Sequence, residues 1–339
     1  MSIGLLAPPW VAVPPPAYGG IEYVVHQLAC GLSRAGHRVT LFATGDSTAP
    51  VPTAFSLDRA VPSDQLGQSM VELDHVMHGY EALAGCDVVH DHTVVGPAWA
   101  LACGYDRVVT TCHGRLDGLF HKIYRGYGKR LPVVAISADQ AARAPDIAVD
   151  RVIHHGVDTG RFAVGRGDGG FLLFLGRMAA DKGAREAVEV AREAEVPLLL
   201  AAKMREPAEY VYFRQQVEPL LGGDIEYIGE AGYEQKIELL GAARALLNPI
   251  RWPEPFGLVM IEALACGTPV LTHPVGAAPE IVDDGVTGFL GEDREGLVAA
   301  VKRIPELDRA ACRAAAQARF SADRLVAEHV ALYQSMLTG

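Results

Sequence analysis

The sequence predicts an α/β protein of two doubly wound domains, each a mostly parallel sheet covered by helices on both faces. Three observations lead to this prediction. The chain has 339 residues, more than one hydrophobic core usually supports. Short β-rich runs alternate with longer helical patterns along its whole length. The alternation restarts after the glycine-rich segment 154–170, which we interpret as a linker.

The first half alternates β-rich runs with helical patterns. In the first helix, apolar residues from Ile21 to Leu32 recur at helical spacing, and the pattern ends at Gly36. A polar, proline-bearing loop follows the second strand and extends to about Ser63. The predicted strands are 3–7, 38–43, 87–91, 108–112 and 133–136, and the further helices are 65–84 and 95–103.

The second half repeats this order. Its predicted strands are 171–175, 197–201, 225–228, 245–248 and 270–272, with helices between them and two more helical stretches after Pro305. We therefore predict one domain over 1–158 and a second over 159–320. We expect the helix in 321–339 to pack back on the first domain. Because open parallel sheets bind ligands beyond the carboxyl ends of their strands, the two domains should face each other across a cleft.

Composition limits the possible functions. Hydrophobic residues make up 50% of the chain and charged residues 21%, which is ordinary for a globular enzyme. The net charge of -11 argues against nucleic acid as the main partner. Apolar runs are too short for a membrane helix, and the start of the chain lacks the basic residues of a secretory signal. Six cysteines without metal-ligand spacing predict free thiols and a cytoplasmic protein.

The stretch Glu-Pro-Phe-Gly-Leu-Val-Met-Ile-Glu, residues 254–262, predicts an anion site. Pro255 and Gly257 disfavour a helix interior, whereas the residues from Leu258 onward favour one. A helix should therefore start near Gly257 and present free N–H groups that suit phosphate. Glu254 would lie in the loop before this site, and Glu262 one to two turns inside the helix.

Two further strand ends carry groups that suit an anion. Gly19 and Gly20 open the first helix, where paired glycines allow close backbone approach to a ligand; an ordinary tight turn is the alternative. Arg177 and Lys182 follow the strand 171–175. They could clamp a diphosphate, Arg177 by its forked guanidinium and Lys182 as a point charge. Solvated surface charges are the alternative here.

Several histidines lie at strand ends or share a face. His113 ends the strand 108–112, where it could hydrogen-bond a substrate hydroxyl or have a structural role. His90 and His92 share one face of a strand, and His75 and His78 share a helix face at i, i+3. Neither pair has a third and fourth ligand nearby in the sequence, so we predict no metal site.

Two other segments have ordinary alternatives. Residues 165–170 satisfy the GxGxxG pattern but precede a strand and open no helix, so we interpret them as part of the linker. Residues 121–130 form a basic cluster with two tyrosines. It could meet an anionic acceptor or a membrane surface, and a solvated helical face is the favoured interpretation.

Together these motifs resemble the retaining glycosyltransferase family 4, whose fold is the GT-B type with two Rossmann-like domains. The resemblance covers nearly the whole chain, and its order and spacing make it specific. It rests on 18–22 (YGGIE), 87–92 (DVVHDH), 112–114 (CHG), 156–158 (GVD) with Phe162, 176–183 (GRMAADKG), 254–263 (EPFGLVMIEA), 267–270 (GTPV), 279–282 (PEIV) and 285–290 (GVTGFL).

The resemblance implies a nucleoside-diphosphate sugar as donor, bound by the second domain, with UDP favoured over GDP. Glu262 would hold the ribose, and Glu254 would contact the transferred sugar. The backbone N–H groups of 256–258 would face the phosphates. Expected catalytic residues are His113, Arg177, Lys182 and Glu254; expected donor-binding residues are Gly19, Gly20, Gly229, Ala231, Lys236, Phe256, Gly257, Leu258 and Glu262.

The resemblance also implies transfer of a hexosyl or pentosyl group with retained anomeric configuration, without a cofactor. Because the sequence lacks an Asp-x-Asp motif, we expect no metal. The first domain would bind a hydroxyl-bearing acceptor, with Tyr18, Glu22, His92 and Arg115 as candidates. The motif sequences are similar to those of transferases that glycosylate actinobacterial oligosaccharide antibiotics. We expect no transmembrane segment; peripheral membrane contact is a less favoured alternative.

Other functions of the same fold are the alternatives. A sugar-nucleotide 2-epimerase would need its own carboxylate array. A non-catalytic nucleotide-sugar-binding protein would be expected to lose Arg177, Lys182 or Glu254, and all three are present. A glycogen synthase-like enzyme would carry a lysine where this chain has Ala17-Tyr18. His155 also departs from the family pattern, which commonly has asparagine there, and the residues 251–253 before Glu254 are bulkier than usual.

Overall fold

The computed structural model describes residues 1–17, 19–62 and 65–338. The chain forms two compact units. The first comprises Met1–Gly156 with Ala322–Gly339, and the second comprises Val157–Ser321. None of the helices in the described ranges combines the length and the apolar composition needed to cross a membrane.

The first unit is built on a seven-stranded parallel sheet in the order β3-β2-β1-β4-β5-β6-β7. The order reverses between β1 and β4, which makes their carboxyl ends the expected ligand edge. The strands are β1 (Ser2–Leu6), β2 (Arg38–Phe42), β3 (Thr53–Ala54), β4 (Val88–Asp91), β5 (Val108–Thr111), β6 (Val133–Ala135) and β7 (Arg151–Val152). The helices are α1 (Gly20–Arg34), α2 (Ser69–Leu83), α3 (Gly96–Cys103), α4 (Gly118–Tyr127) and α5 (Ala138–Ala142).

The second unit has a six-stranded parallel sheet in the order β10-β9-β8-β11-β12-β13, which reverses between β8 and β11. The strands are β8 (Leu172–Arg177), β9 (Leu198–Lys203), β10 (Ile225–Gly229), β11 (Ala245–Asn248), β12 (Val270–Thr272) and β13 (Gly288–Leu290). The α-helices are α6 (Ala184–Glu193), α7 (Pro207–Tyr212), α8 (Tyr233–Ala242), α9 (Leu258–Ala265), α10 (Ala278–Ile281), α11 (Arg294–Arg303) and α12 (Arg309–Arg319).

The last helix, α13 (Ala322–Thr338), is part of the first unit and packs against α1. Close approach of the two helices depends on Gly31 of α1, because a β-carbon there would overlap a methyl group of Val326. Leu325, Leu332 and Tyr333 of α13 are buried. A larger residue at Gly31 would therefore push α13 away from α1.

Several short elements were not predicted from the sequence. The strands β3 and β7 have two residues each, and β13 has three, which is too short for an apolar periodicity to show. These three short strands form by pairing with β2, β6 and β12, respectively. The helix predicted over 65–84 begins later, at Ser69.

The linker prediction over 154–170 is wrong from Val157 onward, because that part belongs to the second unit. Gly165 N–H donates to Cys266 O at 3.0 Å, and Gly167 N–H donates to Gly241 O at 3.0 Å. The Arg309 guanidinium also donates to Gly165 O at 2.9 Å. A β-carbon on Gly165 would overlap the backbone of Gly241. These glycines therefore allow two backbone segments to meet.

Candidate functional site

The main candidate site is the carboxyl edge of the second sheet, where the strand order reverses. Arg177 is the last residue of β8, and Lys182 follows in a short 3-10 turn. The neighbouring strand β11 ends at Asn248, and its chain continues through the loop that contains Glu254. Ligands of doubly wound sheets bind at this kind of edge. The motif residues of two different segments thus meet where a ligand is expected.

Lys182 and Glu254 form an ion pair between these two segments, with Lys182 Nζ donating to Glu254 Oε1. Lys182 is 9% exposed, and its Nζ lies 5.2 Å from the centre of the Trp252 ring. A nearly buried ion pair is strongly held, and losing one partner leaves an uncompensated charge. The pair therefore fixes Lys182 beside the strand end.

The loop after β12 holds the backbone of Glu254. Ala277 N–H donates to Glu254 O at 3.1 Å. Gly276 has φ +63°, and a β-carbon there would lie 2.5 Å from both the backbone N and O of Glu254. Only glycine tolerates that close approach together with that conformation. Gly276 was not recognised from the sequence; its signal is a glycine four residues after the end of a predicted strand.

Arg177 is also compensated by acidic groups. Its Nη2 donates to Asp181 Oδ2 at 2.9 Å, and its Nη1 lies 3.8 Å from Glu209 Oε1. Glu209 is buried at 3% exposure, and its other oxygen accepts from the backbone N–H of Arg205 at 2.7 Å. Glu209 was not predicted, because nothing local in the sequence indicates this distant contact.

A third cation, Lys203, lies beside Arg177. Lys203 is the last residue of β9 and is directly opposite Arg177 in the β8–β9 register. Burial lowers the pKa of Lys203, and the nearby charges of Arg205 and Arg177 lower it further against the opposing effect of Glu209. The signal in the sequence was the same as for Arg177: a cation that ends an apolar strand.

The helix expected after Gly257 is α9, which begins at Leu258 with Gly257 as its N-cap at φ +104°. Phe256 is buried just before it. Glu262 lies within α9 at 5% exposure, and its Oε1 accepts from Lys236 Nζ at 2.5 Å. Lys236 belongs to α8, so this contact joins the two helices. The helix start, Glu262 and Lys236 thus share one edge.

The loop between β10 and α8 carries the remaining second-unit candidates. Gly229 ends β10 at φ +84°, a conformation that favours glycine. Ala231 follows in the loop that leads to α8. Glu230 between them accepts from Arg205 Nη2 at 3.1 Å. The structure thus places Gly229 at the end of β10 and Ala231 in the loop just before the helix that carries Lys236.

In the first unit, five buried or half-buried histidines form a continuous row: His329, His90, His92, His113 and His155. Successive ring centres are 5.2, 4.0, 5.2 and 5.3 Å apart. The row runs from α13 across the ends of β4 and β5. It brings His113 together with His92, which the sequence assigned to a different strand.

Hydrogen bonds engage several ring nitrogens of this histidine row. His90 Nδ1 lies 2.7 Å from the Tyr333 hydroxyl, and His90 Nε2 lies 2.8 Å from Thr111 Oγ1. His92 Nδ1 lies 2.9 Å from His113 Nε2. Among the residues that the structure describes, no group of three or more His, Cys, Asp or Glu side chains could hold a metal ion.

His75 and His78 do not form a pair. The His75 ring is fully buried, and its Nε2 lies 3.0 Å from Ala7 O. The His78 side chain is 53% exposed and is 3.9 Å from Asp74. One helix turn thus carries one histidine inward and the other outward.

The remaining first-unit candidates have different environments. Gly19 is the N-cap of α1 and Gly20 its first residue, while Glu22 is buried in the first turn. Arg115 forms an exposed ion pair with Asp117. His92 is 3% exposed, and its Nδ1 lies 2.9 Å from His113 Nε2. Tyr18 lies outside the described residues.

The basic cluster 121–130 falls in α4 and the turn after it. His121 Nε2 lies 2.7 Å from Asp146 Oδ1, and Arg125 Nε lies 3.3 Å from Asp146 Oδ2. Leu119 of the same helix is 69% exposed. Asp146 thus faces two of the basic side chains, and the helix presents both polar and apolar groups to solvent.

Burial keeps the histidine row neutral. It lowers the pKa of His113 to about 3 and that of His329 to about 4. The pKa values of His90, His92 and His155 are held well below 6.5, mainly by burial and further by neighbouring histidines. Burial also lowers the pKa of His75 to about 4. Unfolding would return all six to their ordinary values.

We expect the free energy of unfolding to fall as the pH drops below 6.5. Unfolded histidines bind protons in this range and the folded ones do not, at about 1.4 kcal/mol per pH unit for each. Burial raises the pKa of Asp91 to about 7 and also raises the pKa of Glu72. These two carboxyl groups oppose the loss of stability at low pH, but the six histidines outnumber them. Denaturant titrations from about pH 7.5 to about 4.5 measure the slope.

Replacing His329 with phenylalanine should flatten this slope, because one lowered pKa is removed. His78→Gln is the matched control at an exposed position and should leave it unchanged. A stability that stays level between about pH 6.5 and 4.5 would contradict the burial of neutral histidines.

Two family models match the chain, one to each half. Residues 158–319 match the model described as Glycosyl transferases group 1, and residues 18–161 match the model described as Glycosyltransferase Family 4. The chain is a glycosyltransferase. This assignment agrees with the motifs at the edges of both sheets.

Known proteins resemble this glycosyltransferase over nearly its full length. It is 29% identical to the glycogen synthase of Mycobacterium tuberculosis, covering 90% of this chain and 87% of that protein. Its fold is similar to that of AviGT4, a glycosyltransferase involved in avilamycin A biosynthesis, with a TM-score of 0.75, 26% identity and coverage of 100% and 98%. The glycosyltransferase therefore has the GT-B fold.

A third similar structure is the Anabaena protein HepE, solved in complex with UDP and glucose. The TM-score is 0.77 at 19% identity, with coverage of 99% of this chain and 100% of that one. At this identity the similarity shows a shared fold and nothing further.

Proposed function

We propose that this glycosyltransferase is metal-independent and retaining, and that it moves a sugar from a nucleoside-diphosphate sugar to a hydroxyl group of an acceptor. One observation carries the proposal. Two cations lie at the reversal point of the second sheet, Arg177 at the end of β8 and Lys182 just after it, and Lys182 pairs with Glu254 in the loop before α9. A diphosphate bound there would meet both cations and the N–H groups at the start of α9.

In the proposed reaction the bond between the sugar and the diphosphate breaks, and a bond to the acceptor oxygen forms on the same face. The acceptor's proton passes to the leaving phosphate. Positive charge develops on the sugar ring and negative charge on the diphosphate. Fixed cations and backbone N–H groups stabilise the developing negative charge without reorganisation, which is the largest contribution such a site can make.

The carboxylates of the site have separate proposed roles. Glu262 lies one helix turn inside α9 and is fixed by Lys236, so it can accept hydrogen bonds from ribose hydroxyls. Glu254 is fixed by Lys182 and the loop after β12, and we assign it to hydroxyls of the transferred sugar. In each pair the lysine contacts Oε1, which leaves Oε2 of the carboxylate able to accept from a ligand.

In the first unit we propose that His113 contacts the donor sugar and that the acceptor lies near Glu22 and Arg115. Gly19 and Gly20 would place the start of α1 near the phosphates. UDP is the first nucleotide to test, because HepE binds it on a similar fold. The motif resemblance favours UDP over GDP.

A thermal-shift screen of UDP, GDP and ADP and their glucose conjugates tests the donor, each with EDTA and with Mg²⁺. We expect stabilisation by one nucleotide in EDTA, by about 2.7 kcal/mol at a ligand concentration 100 times its Kd. NMR of the glycoside formed with a range of hydroxyl acceptors then tests the stereochemistry. Stabilisation that requires Mg²⁺ would contradict metal independence, and an inverted anomer would contradict retention.

We also propose a cytoplasmic location for the glycosyltransferase. All six cysteines are free thiols in the structure, three of them buried. Disulfides would be expected to form among accessible cysteines in an oxidising compartment. Thiol counting on protein isolated under alkylating conditions measures this.

A further inference from the structure

The contact between His92 and His113 carries information about the proton positions. His92 Nδ1 lies 2.9 Å from His113 Nε2, so one of these nitrogens donates and the other accepts. The second nitrogen of His92, Nε2, is buried and has no hydrogen-bond partner in the part of the chain that the structure describes. The side chain as a whole is 3% exposed, which leaves no access for water.

The buried nitrogen decides which way the hydrogen bond runs. If His113 donated, the proton of neutral His92 would be on Nε2, as a buried N–H group without an acceptor. Such a group costs about 1–3 kcal/mol, and orphaned buried N–H groups are rare in proteins. If His92 donates from Nδ1, its Nε2 is only an unused lone pair. The second arrangement is favoured, provided that both rings are neutral.

Both rings are neutral near pH 7, because burial holds the pKa of His92 well below 6.5 and that of His113 at about 3. The lone pair of His113 Nε2 is then occupied by the proton of His92. Neutral His113 must carry its own proton on Nδ1. Its ring also stacks on His155, with centres 5.3 Å apart and planes at 21°, which restrains its orientation.

We propose that His92 is a positioning residue that fixes the tautomer of His113, so that His113 offers an Nδ1–H donor and no free lone pair. His113 is half-buried, and none of the described protein groups bonds its Nδ1. A fixed donor suits a hydroxyl oxygen of the transferred sugar. It excludes His113 as the base that removes the acceptor's proton. This inference rests on the proposed function for the identity of the ligand only.

The tautomer can be measured without substrate. NMR of the ring nitrogens and carbons of labelled protein distinguishes Nδ1–H from Nε2–H, and the His113→Gln spectrum assigns the signal. We expect His113 in the Nδ1–H form in the unmodified protein. In His92→Asn, where the amide can still donate, we expect the same form. In His92→Asp, where an ionised carboxylate only accepts, we expect His113 to carry a proton on Nε2.

The activities of His92→Asn and His92→Asp should differ, although the two new side chains have the same shape. We expect His92→Asp to lower kcat by about 10- to 100-fold, the range known for partners that orient metal-bound histidines. We expect His92→Asn to stay within a few-fold of the unmodified enzyme and the KM for the donor to change less than kcat in both. His329→Phe is the matched control in the same row and should leave the His113 tautomer unchanged.

An Nε2–H form of His113 in the unmodified protein would overturn the inference. So would equal kcat values and equal tautomers in the Asn and Asp variants when both retain native circular dichroism. If the unmodified protein transfers no sugar from any nucleotide donor, the proposed function fails while the spectra still decide the tautomer. The two ideas can therefore fail separately.

Discussion

Replacing Lys182 with alanine should lower kcat by about 100- to 1,000-fold, the effect seen when one fixed donor to a developing negative charge is removed. Lys182 stands at the end of β8 and is nearly buried, so its charge acts in a poorly screened environment. The loss should exceed the change in KM, because the charge on the diphosphate grows as the sugar leaves. Steady-state kinetics with the donor found by thermal shift measure both.

The matched control is Lys302→Ala, an exposed lysine at the end of α11 in the same unit. It removes the same charge from the chain and should leave kcat and KM unchanged. Lys182→Arg should recover part of the activity, since it keeps the charge but changes its shape. Lys182→Ala with a native melting temperature and near-normal kcat would rule out the diphosphate clamp.

Replacing Glu254 with glutamine should change binding and turnover in opposite directions. Glu254 pairs with Lys182 in the structure, so a diphosphate that binds Lys182 must compete with this carboxylate. Removing the carboxylate charge should tighten binding of the nucleoside diphosphate by about 1 kcal/mol, or roughly fivefold in Kd. Turnover should fall by at least about tenfold, because the proposed contact to the sugar is weakened.

Calorimetric titration with UDP and initial rates of transfer measure the two effects in the same preparation. Glu306→Gln is the matched control, because it removes an equal charge from an exposed pair with Arg303. Its binding and its turnover should be unchanged. Weaker UDP binding in Glu254→Gln would show that this carboxylate does not compete with the diphosphate for Lys182.

Local chemistry was enough to predict most of the fold and to select the candidate site residues. Apolar periodicity indicated the long strands and helices, because burial of one face or both leaves a repeating pattern. Pro255 and Gly257 indicated the start of α9, since neither residue suits a helix interior. Arg177 was selected as a candidate because it ends an apolar strand, and strand ends are the ligand edge of parallel sheets.

The sequence by itself determined the element order, the α/β class and which residue types stand at the strand ends, because these depend on neighbours along the chain. Only the tertiary structure decided their partners. It pairs Glu254 with Lys182 and brings Gly276 into contact with the Glu254 backbone. It also places His92 within hydrogen-bond distance of His113. These contacts join residues far apart in sequence, so no local periodicity or propensity records them. Charge compensation and the direction of a buried hydrogen bond follow from packing alone.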